Sequence, residues 1–283
     1  MGGKILITGA GGYIGRHVVD AAIETGAQVV ACDIKPDGIG KRAKIVDLDI
    51  LSGEKDLFHQ FGEPDICIHM AWKDGFSHNA ESHMEHLSDH FVFLRNMIDA
   101  GIKQVVVMGS MHEVGYHEGA IDEGTPCNPS NLYAIAKDAL RRSIFLTARD
   151  KDVIVQWLRV YYIYGDDMYN QSIFTKLLKA VQEGKKTFPF TSGKNKYDFI
   201  HVSDLARQIV AIAMQTQITG TINCCSGEPV TLGDKVEEFI KEHGLDIKLE
   251  YGAFPDREYD SPAIWGAGEK ISQIMEKRQA QGG

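Results

Sequence analysis

Tyr133 and Lys137 stand four residues apart in the run Tyr133-Ala134-Ile135-Ala136-Lys137. On a helix that spacing puts both side chains on one face. An ammonium beside a phenol favours the phenolate, so the tyrosine pKa is expected to fall from about 10 towards neutrality. The pair would then serve as an acid/base for a carbonyl or an alcohol. Ser110 ends the apolar run Gln104–Gly109, where a hydroxyl could meet the same oxygen. A second pattern opens the chain: Ile7-Thr8-Gly9-Ala10-Gly11-Gly12-Tyr13-Ile14-Gly15. Its glycines allow a tight turn and close backbone approach to a pyrophosphate, which the following helix N-terminus attracts. Asp33 lies 18 residues past Gly15. A carboxylate there accepts both ribose hydroxyls of NAD and repels a 2′-phosphate, so NAD(H) is expected ahead of NADP(H). Lys35, Lys41 and Arg42 follow and could weaken that discrimination. A flavin, or a nucleotide without a nicotinamide, would also satisfy the loop and the carboxylate taken alone.

These groups need elements that bring them to one edge. Lys4–Thr8, Gln28–Cys32, Ala43–Val46, Asp65–Met70, Gln104–Gly109 and Val153–Val160 read as strands, most of them apolar on both faces, as a covered parallel sheet requires. Tyr13–Thr25, Ser82–Ala100 and Leu132–Arg149 have helical period and length. Alternating strand and helix predicts an α/β, doubly wound parallel sheet. Beyond Gly165 the pattern loosens. Ser172–Glu183, Asp204–Met214 and Leu232–His243 read as helices, the last with Thr231 as N-cap, separated by stretches rich in Gly, Pro and aromatics. The expected division is a Rossmann-like NAD(P)-binding domain over residues 1–165 and a smaller, mainly substrate-binding C-terminal lobe over 166–283. Part of 198–225 is expected to return to the Rossmann sheet.

Composition removes other classes. The chain of 283 residues is 43% hydrophobic and carries a net charge of −9, the wrong sign for a broad phosphate-backbone binder, so no nucleic acid partner is expected. No apolar run approaches the roughly 20 residues of a membrane span, and the N-terminus lacks a signal-peptide pattern. Five scattered cysteines without a CxxC spacing indicate neither a zinc site nor a disulfide framework, and a reducing cytoplasm is the expected setting.

Taken together and in this order, the motifs resemble those of the extended short-chain dehydrogenase/reductase family, which includes NAD-dependent nucleotide-sugar epimerases, dehydratases and ketoreductases. Thr8–Gly15 is similar to its TGxxGxxG loop, and Ile68-His69-Met70-Ala71 resembles its HLA strand end. Ser110 stands at its catalytic Ser/Thr position, with Tyr133 and Lys137 as its YxxxK pair. Leu158-Arg159 and Tyr164-Gly165 resemble its LR…YG segment. Asp198–Asp204 looks like its DFIHVxD motif, and Arg257-Glu258-Tyr259-Asp260 like its late RxxD. The resemblance implies catalytic roles for Ser110, Tyr133 and Lys137. It implies cofactor contacts from Gly9, Gly12, Tyr13, Ile14, Gly15, Asp33, Ile34, Asp49, Ile50, Met70, Ala71, Tyr133 and Lys137. It further implies substrate contacts from Trp72, His112, Tyr162, Asn170 and Arg257, a nucleoside-diphosphate sugar as substrate, and a homodimer.

Departures from the family pattern bear on the reaction. Family members that eliminate water carry Asp-Glu directly after the catalytic Thr or Ser; Met111-His112 stand here, and a thioether is neither acid nor base. His90 stands where the family usually has Asn in the helix before the fifth strand, and Tyr162 replaces the Asn of its RxxN segment. The length and the segment Gly109–Tyr116 look most like reductases of nucleotide-linked 4-keto-6-deoxyhexoses. The expected reaction is therefore NAD(P)H-dependent reduction of a C4 ketone. A nucleotide-sugar 4-epimerase is the alternative, and a non-catalytic dinucleotide sensor stands third. His78, His83, His86 and His90 invite a metal reading, but no carboxylate or cysteine completes the set, and no metal is expected. One or two of them are expected to line the sugar site, the others to be solvated. Cys224, Cys225 and Tyr161 read as packing residues.

Overall fold

Short Val/Ile-rich runs pack well on both faces when helices cover both sides of a parallel sheet. The computed structural model describes residues 3–40, 42–165, 168, 170–256 and 260–282. Within the first part the chain forms β1 (Lys4–Thr8), α1 (Tyr13–Glu24), β2 (Gln28–Cys32), β3 (Lys44–Val46), α2 (Leu57–Gln60), β4 (Ile66–His69), α3 (Ser82–Glu85), α4 (Leu87–Asp99), β5 (Gln104–Met108), a 3-10 turn (Met111–Val114), β6 (Gly119–Ile121), α5 (Leu132–Ala148) and β7 (Ile154–Val160). There follow β8 (Tyr162–Tyr164), α6 (Ile173–Gln182), β9 (Thr187–Pro189), β10 (Lys196–His201), α7 (Val202–Ala213), β11 (Gly220–Cys224), β12 (Pro229–Thr231), α8 (Leu232–Glu242), β13 (Lys248–Glu250), β14 (Ala263–Gly266) and α9 (Glu269–Gly282).

Seven strands make the main sheet in the order β11-β7-β5-β4-β1-β2-β3, every neighbouring pair parallel. Side chains alternate between its faces: Ile5 and Ile7 join one core with Val18 of α1 and Leu205 of α7. Leu6 joins the other, with Phe93 of α4 and Leu140 of α5. This is the Rossmann-like, doubly wound arrangement expected. Strand order reverses between β1 and β4, where Thr8 pairs with His69. In such sheets a ligand crevice opens outside the C-terminal strand ends at the reversal, and the glycine loop leaves β1 at that place.

The C-terminal elements build a smaller lobe. β12, β10, β14 and β6 form a second sheet with β8 beside β10, and β13 pairs with β9. The Thr231 hydroxyl accepts from Asp234 N at 3.0 Å, so Thr231 caps α8 as its sequence position suggests. No helix among the described residues is long and apolar enough to cross a membrane.

One expected element is corrected. Ser82–Ala100 is two helices, broken at His86, whose backbone (φ −96°, ψ 2°) ends α3 and precedes α4. The break accompanies burial of two polar rings: His83 and His90 are only 1% and 2% exposed, so neither is solvated. Among the described residues no group of three or more His, Cys, Asp or Glu could hold a metal.

Candidate active site

The loop after β1 is shaped by contacts that leave no room for side chains. Gly9 has φ +70°, and a Cβ there would lie 2.6 Å from Ala71 N; a Cβ on Gly15 would lie 2.0 Å from Gly9 O. Helix α1 therefore packs directly on the loop. Gly12 is its N-cap, with no side-chain cap of its own, and is exposed. An exposed, uncapped helix end beside a side-chain-free loop suits a pyrophosphate. Asp33 closes the loop from β2: its Oδ2 accepts from Gly11 N at 2.9 Å and its Oδ1 from Lys35 N at 2.8 Å. Gly11 was absent from the expected contact set, yet a Cβ there would collide with Lys35 O at 2.0 Å. Ile34 and Asp49 are exposed near these strand ends, Ile50 and Met70 are buried, and Tyr13, Ile14 and Ala71 are half-buried. The loop, the helix end and the Asp33 carboxylate together fit a dinucleotide.

Ser110 follows β5 and caps the 3-10 turn, its hydroxyl accepting from His112 N at 3.2 Å. Tyr133 and Lys137 lie on the first turns of α5, which Asn131 caps through Ala134 N at 2.9 Å. The Ser110 side chain faces the Tyr133 hydroxyl. Lys137 is 2% exposed; its Nζ donates to Met108 O at 2.7 Å and lies 5.8 Å from the Tyr133 ring centroid. The three residues therefore converge at the same strand ends as the glycine loop.

Their electrostatics correct one expectation. Lys137 does not bring the Tyr133 phenol towards neutrality. Burial, assisted by the Glu113 carboxylate, pushes Tyr133 above its ordinary value, and only the Ser110 side chain opposes it. Burial brings Lys137 itself down to about 7, against the pull of Glu113. Burial is the largest cause of the shift in both groups.

His112 sits beside this set, its ring 4.6 Å from that of His78. Burial and the neighbouring His78 bring it down to about 4, so it is neutral at pH 7 and no proton source there. His78 in turn stacks on Tyr133 at 5.5 Å and 13°, and its carbonyl accepts from Tyr133 N at 2.9 Å. Trp72 has Lys137 over one ring face and His90 stacked on its plane. Tyr162 packs on Tyr197 at 4.3 Å in the smaller lobe. Asn170 is 4% exposed; its Oδ1 accepts from Ser172 N at 2.8 Å and Thr175 Oγ1 at 2.7 Å, while Nδ2 has no partner among the described residues. Lys41 and Arg257 lie outside the described residues.

Glu113 was not singled out in the sequence. It is fully buried, accepts from Ser110 N at 2.7 Å and Trp157 Nε1 at 2.9 Å, and faces Arg159 and Arg141. The legible signal was Ser110-Met111-His112-Glu113, the S-x-x-E spacing of a capping box. Met111 is buried at 5% and Glu113 is turned into the core, so neither offers an acid or base to a sugar.

Comparison with known proteins gives the family. Residues 5–225 match the model of the NAD dependent epimerase/dehydratase family, and the chain belongs to that family. It is 44% identical over 271 residues to dTDP-6-deoxy-L-talose 4-dehydrogenase (NAD(+)) of Aggregatibacter actinomycetemcomitans, covering 93% of this chain and 99% of the relative. A putative UDP-glucose 4-epimerase of Methanocaldococcus jannaschii is 25% identical over 272 residues, with 91% and 86% covered. Among solved structures, a UDP-glucose 4-epimerase of Thermotoga maritima with UDP-glucose superposes with a TM-score of 0.80 at 22% identity, with 95% and 91% covered. This last likeness is one of fold.

Proposed function

We propose that this chain interconverts a ketone and an alcohol at C4 of a nucleoside-diphosphate sugar, with NAD(H) as cofactor. The observation that carries the reading is the convergence of Ser110, Tyr133 and Lys137 beside the glycine loop. A bound nicotinamide supplies or takes the hydride. Tyr133 holds the proton that the C4 oxygen gains on reduction, and Ser110 hydrogen-bonds that oxygen. Two donors aimed at a developing alkoxide lower the barrier electrostatically. Lys137, near neutrality, returns a proton to the phenolate afterwards. Gly9, Gly12 and Gly15 with the start of α1 hold the pyrophosphate, and Asp33 the adenosine ribose. Tyr162, Asn170, His112 and Arg257 form the substrate side, together with the lobe of residues 166–283.

Net reduction of a 4-keto-6-deoxyhexose is supported by the relative at 44% identity, whose name specifies a 6-deoxyhexose, position 4 and NAD(+). A phenol kept protonated by burial is also the form that starts a reduction. A 4-epimerase is the other reading, and the comparisons back it better than net reduction, because the larger number of similar proteins carry that name. The two are separated by following absorbance at 340 nm with a dTDP-linked 4-keto-6-deoxyhexose and NADH, and by NMR of UDP-glucose incubated without added NADH. Stoichiometric NADH loss supports the reductase; a C4 epimer without net NADH loss supports the epimerase; neither event with either sugar overturns C4 chemistry. Sedimentation velocity tests the homodimer.

A further inference from the structure

Trp72 touches more of the candidate machinery than any role in binding a sugar would need. The Lys137 ammonium lies 3.7 Å from the centroid of its indole. His90 is stacked on the same ring system at 4.4 Å and 9°, and Tyr133 meets it edge-on at 6.1 Å. Its Nε1 donates to His83 Nδ1 at 3.0 Å, which leaves His83 Nε2–H to donate to Ser77 O at 2.9 Å. The indole is thus held by hydrogen bonding at its edge and by stacking on its plane.

The stacking partner is itself fixed, and its tautomer can be assigned. Thr8 Oγ1 accepts from Met70 N at 3.3 Å and Ala71 N at 3.4 Å, so its own hydrogen goes to His69 Nδ1 at 2.9 Å. His69 then donates Nε2–H to His90 Nδ1 at 3.1 Å. Burial holds both rings far on the neutral side, so no imidazolium competes with the ammonium above Trp72. A directional chain therefore runs from Thr8, next to the glycine loop, through His69 and His90 to the face of Trp72.

We propose that Trp72 is a positioning residue: its indole, braced by the Thr8–His69–His90 chain, holds the Lys137 ammonium at the end of β5 through a cation–π contact. A desolvated ammonium over an indole face is attracted by the ring quadrupole. The attraction favours the charged form and opposes the burial that disfavours it. The other groups facing Lys137 are Tyr133 on its own helix, Glu113 from the 3-10 turn, His90 from α4 and His69 from β4. Among these groups Glu113 supports the ammonium through charge. The indole supports it without one, and so fixes its place without pairing it.

The role of Lys137 in turnover rests on the C4 reading above; the placement of its ammonium does not. Two measurements separate them. In the pH–rate profile, Trp72→Leu should move the alkaline limb down by about one pH unit, the scale of a desolvated cation–π contact, and lower kcat more than it raises KM. Trp72→Phe, which keeps a π face, should restore most of both. A Trp72→Leu enzyme whose alkaline limb stays at the wild-type position overturns the proposal, whatever its rate. The second measurement needs no substrate. The emission difference between wild type and Trp72→Phe should titrate with a step near pH 7 that vanishes in a Lys137→Met background. Absence of the step, or its survival without Lys137, overturns the proposal even if the C4 chemistry stands.

Discussion

Ser110 and Glu113 cap one another across a single turn. The Ser110 hydroxyl accepts from His112 N, and Glu113 Oε1 accepts from Ser110 N at 2.7 Å. The same carboxylate takes the Trp157 indole N–H and stands 3.6 Å from Arg159 Nε and 3.8 Å from Arg141 Nε. A residue that touches no expected ligand thereby ties the Ser110 backbone to β7. Glu113→Ala would strand buried guanidinium charge and the indole donor, at a cost of about 3–5 kcal/mol. Glu113→Gln keeps an acceptor for Ser110 N and should cost less. Urea unfolding of the three proteins checks the order; equal stabilities would remove Glu113 from this role.

Tyr133→Phe deletes one hydroxyl and leaves the ring between His78 and Trp72. Loss of the proton donor should reduce kcat by about 10²–10⁴-fold with little change in KM. Ser110→Ala removes a donor without removing a proton source, and should be milder. Steady-state kinetics with the preferred sugar decides, and near wild-type turnover by Tyr133→Phe would show that the proton comes from elsewhere.

Stability should fall on mild acidification. His112 and His90 are held down to about 4 and about 3 from an ordinary 6.5, chiefly by burial, and His69 is lowered by burial as well. The folded state keeps all three neutral while the unfolded chain takes up protons as pH drops through 6.5. Their contribution is therefore complete above pH 6.5 and shrinks as pH falls towards 4, by about 1.4 kcal/mol per pH unit for each histidine. Urea midpoints measured from pH 7.5 to pH 4.5 should show this slope, and His112→Gln should reduce it by one histidine's share. A flat profile would mean that the rings are solvated.

NADH should bind more tightly than NADPH, because Asp33 sits at the end of β2 against Gly11, where a 2′-phosphate would meet its charge. Asp33→Ser should narrow the preference by at least about tenfold, equivalent to ~1.4 kcal/mol. Calorimetric titration of both nucleotides into wild type and variant measures it. A wild-type preference for NADPH would show that nearby Lys35 or Arg42 outweighs the carboxylate.

Gly15→Ala should damage both fold and cofactor affinity. The added methyl would lie 2.0 Å from Gly9 O, so α1 must back away from the loop, at about 1–3 kcal/mol for an overpacked site. A lower melting temperature with weakened NADH binding is expected; an unchanged Tm would mean that the helix yields freely.

The local features of this protein were written in the chain. β1 and β2 begin and end where hydrophobic runs place them, because Val and Ile at successive positions are stable only when both strand faces are covered. The glycine loop, the Tyr133–Lys137 spacing and the Thr231 cap depend on residues a few positions apart, and such short-range geometry follows from residue type. Sequence also shows a serine at the end of a strand, and the order of the motifs shows which family arranges them.

Energies set by distant neighbours were decided only on folding. The break at His86 goes with the partners that His83 and His90 find, 11 and 21 residues before them in Trp72 and His69. The capping partner of Ser110 was visible as a spacing, but its burial between Trp157, Arg159 and Arg141 was not. The Tyr133 phenol shifts against the expected direction for the same reason, and Lys137 is lowered with it. Sequence spacing predicts a Coulomb attraction between a lysine and a tyrosine one turn apart, whereas the desolvation that dominates both groups comes from strands and loops brought in by the rest of the chain.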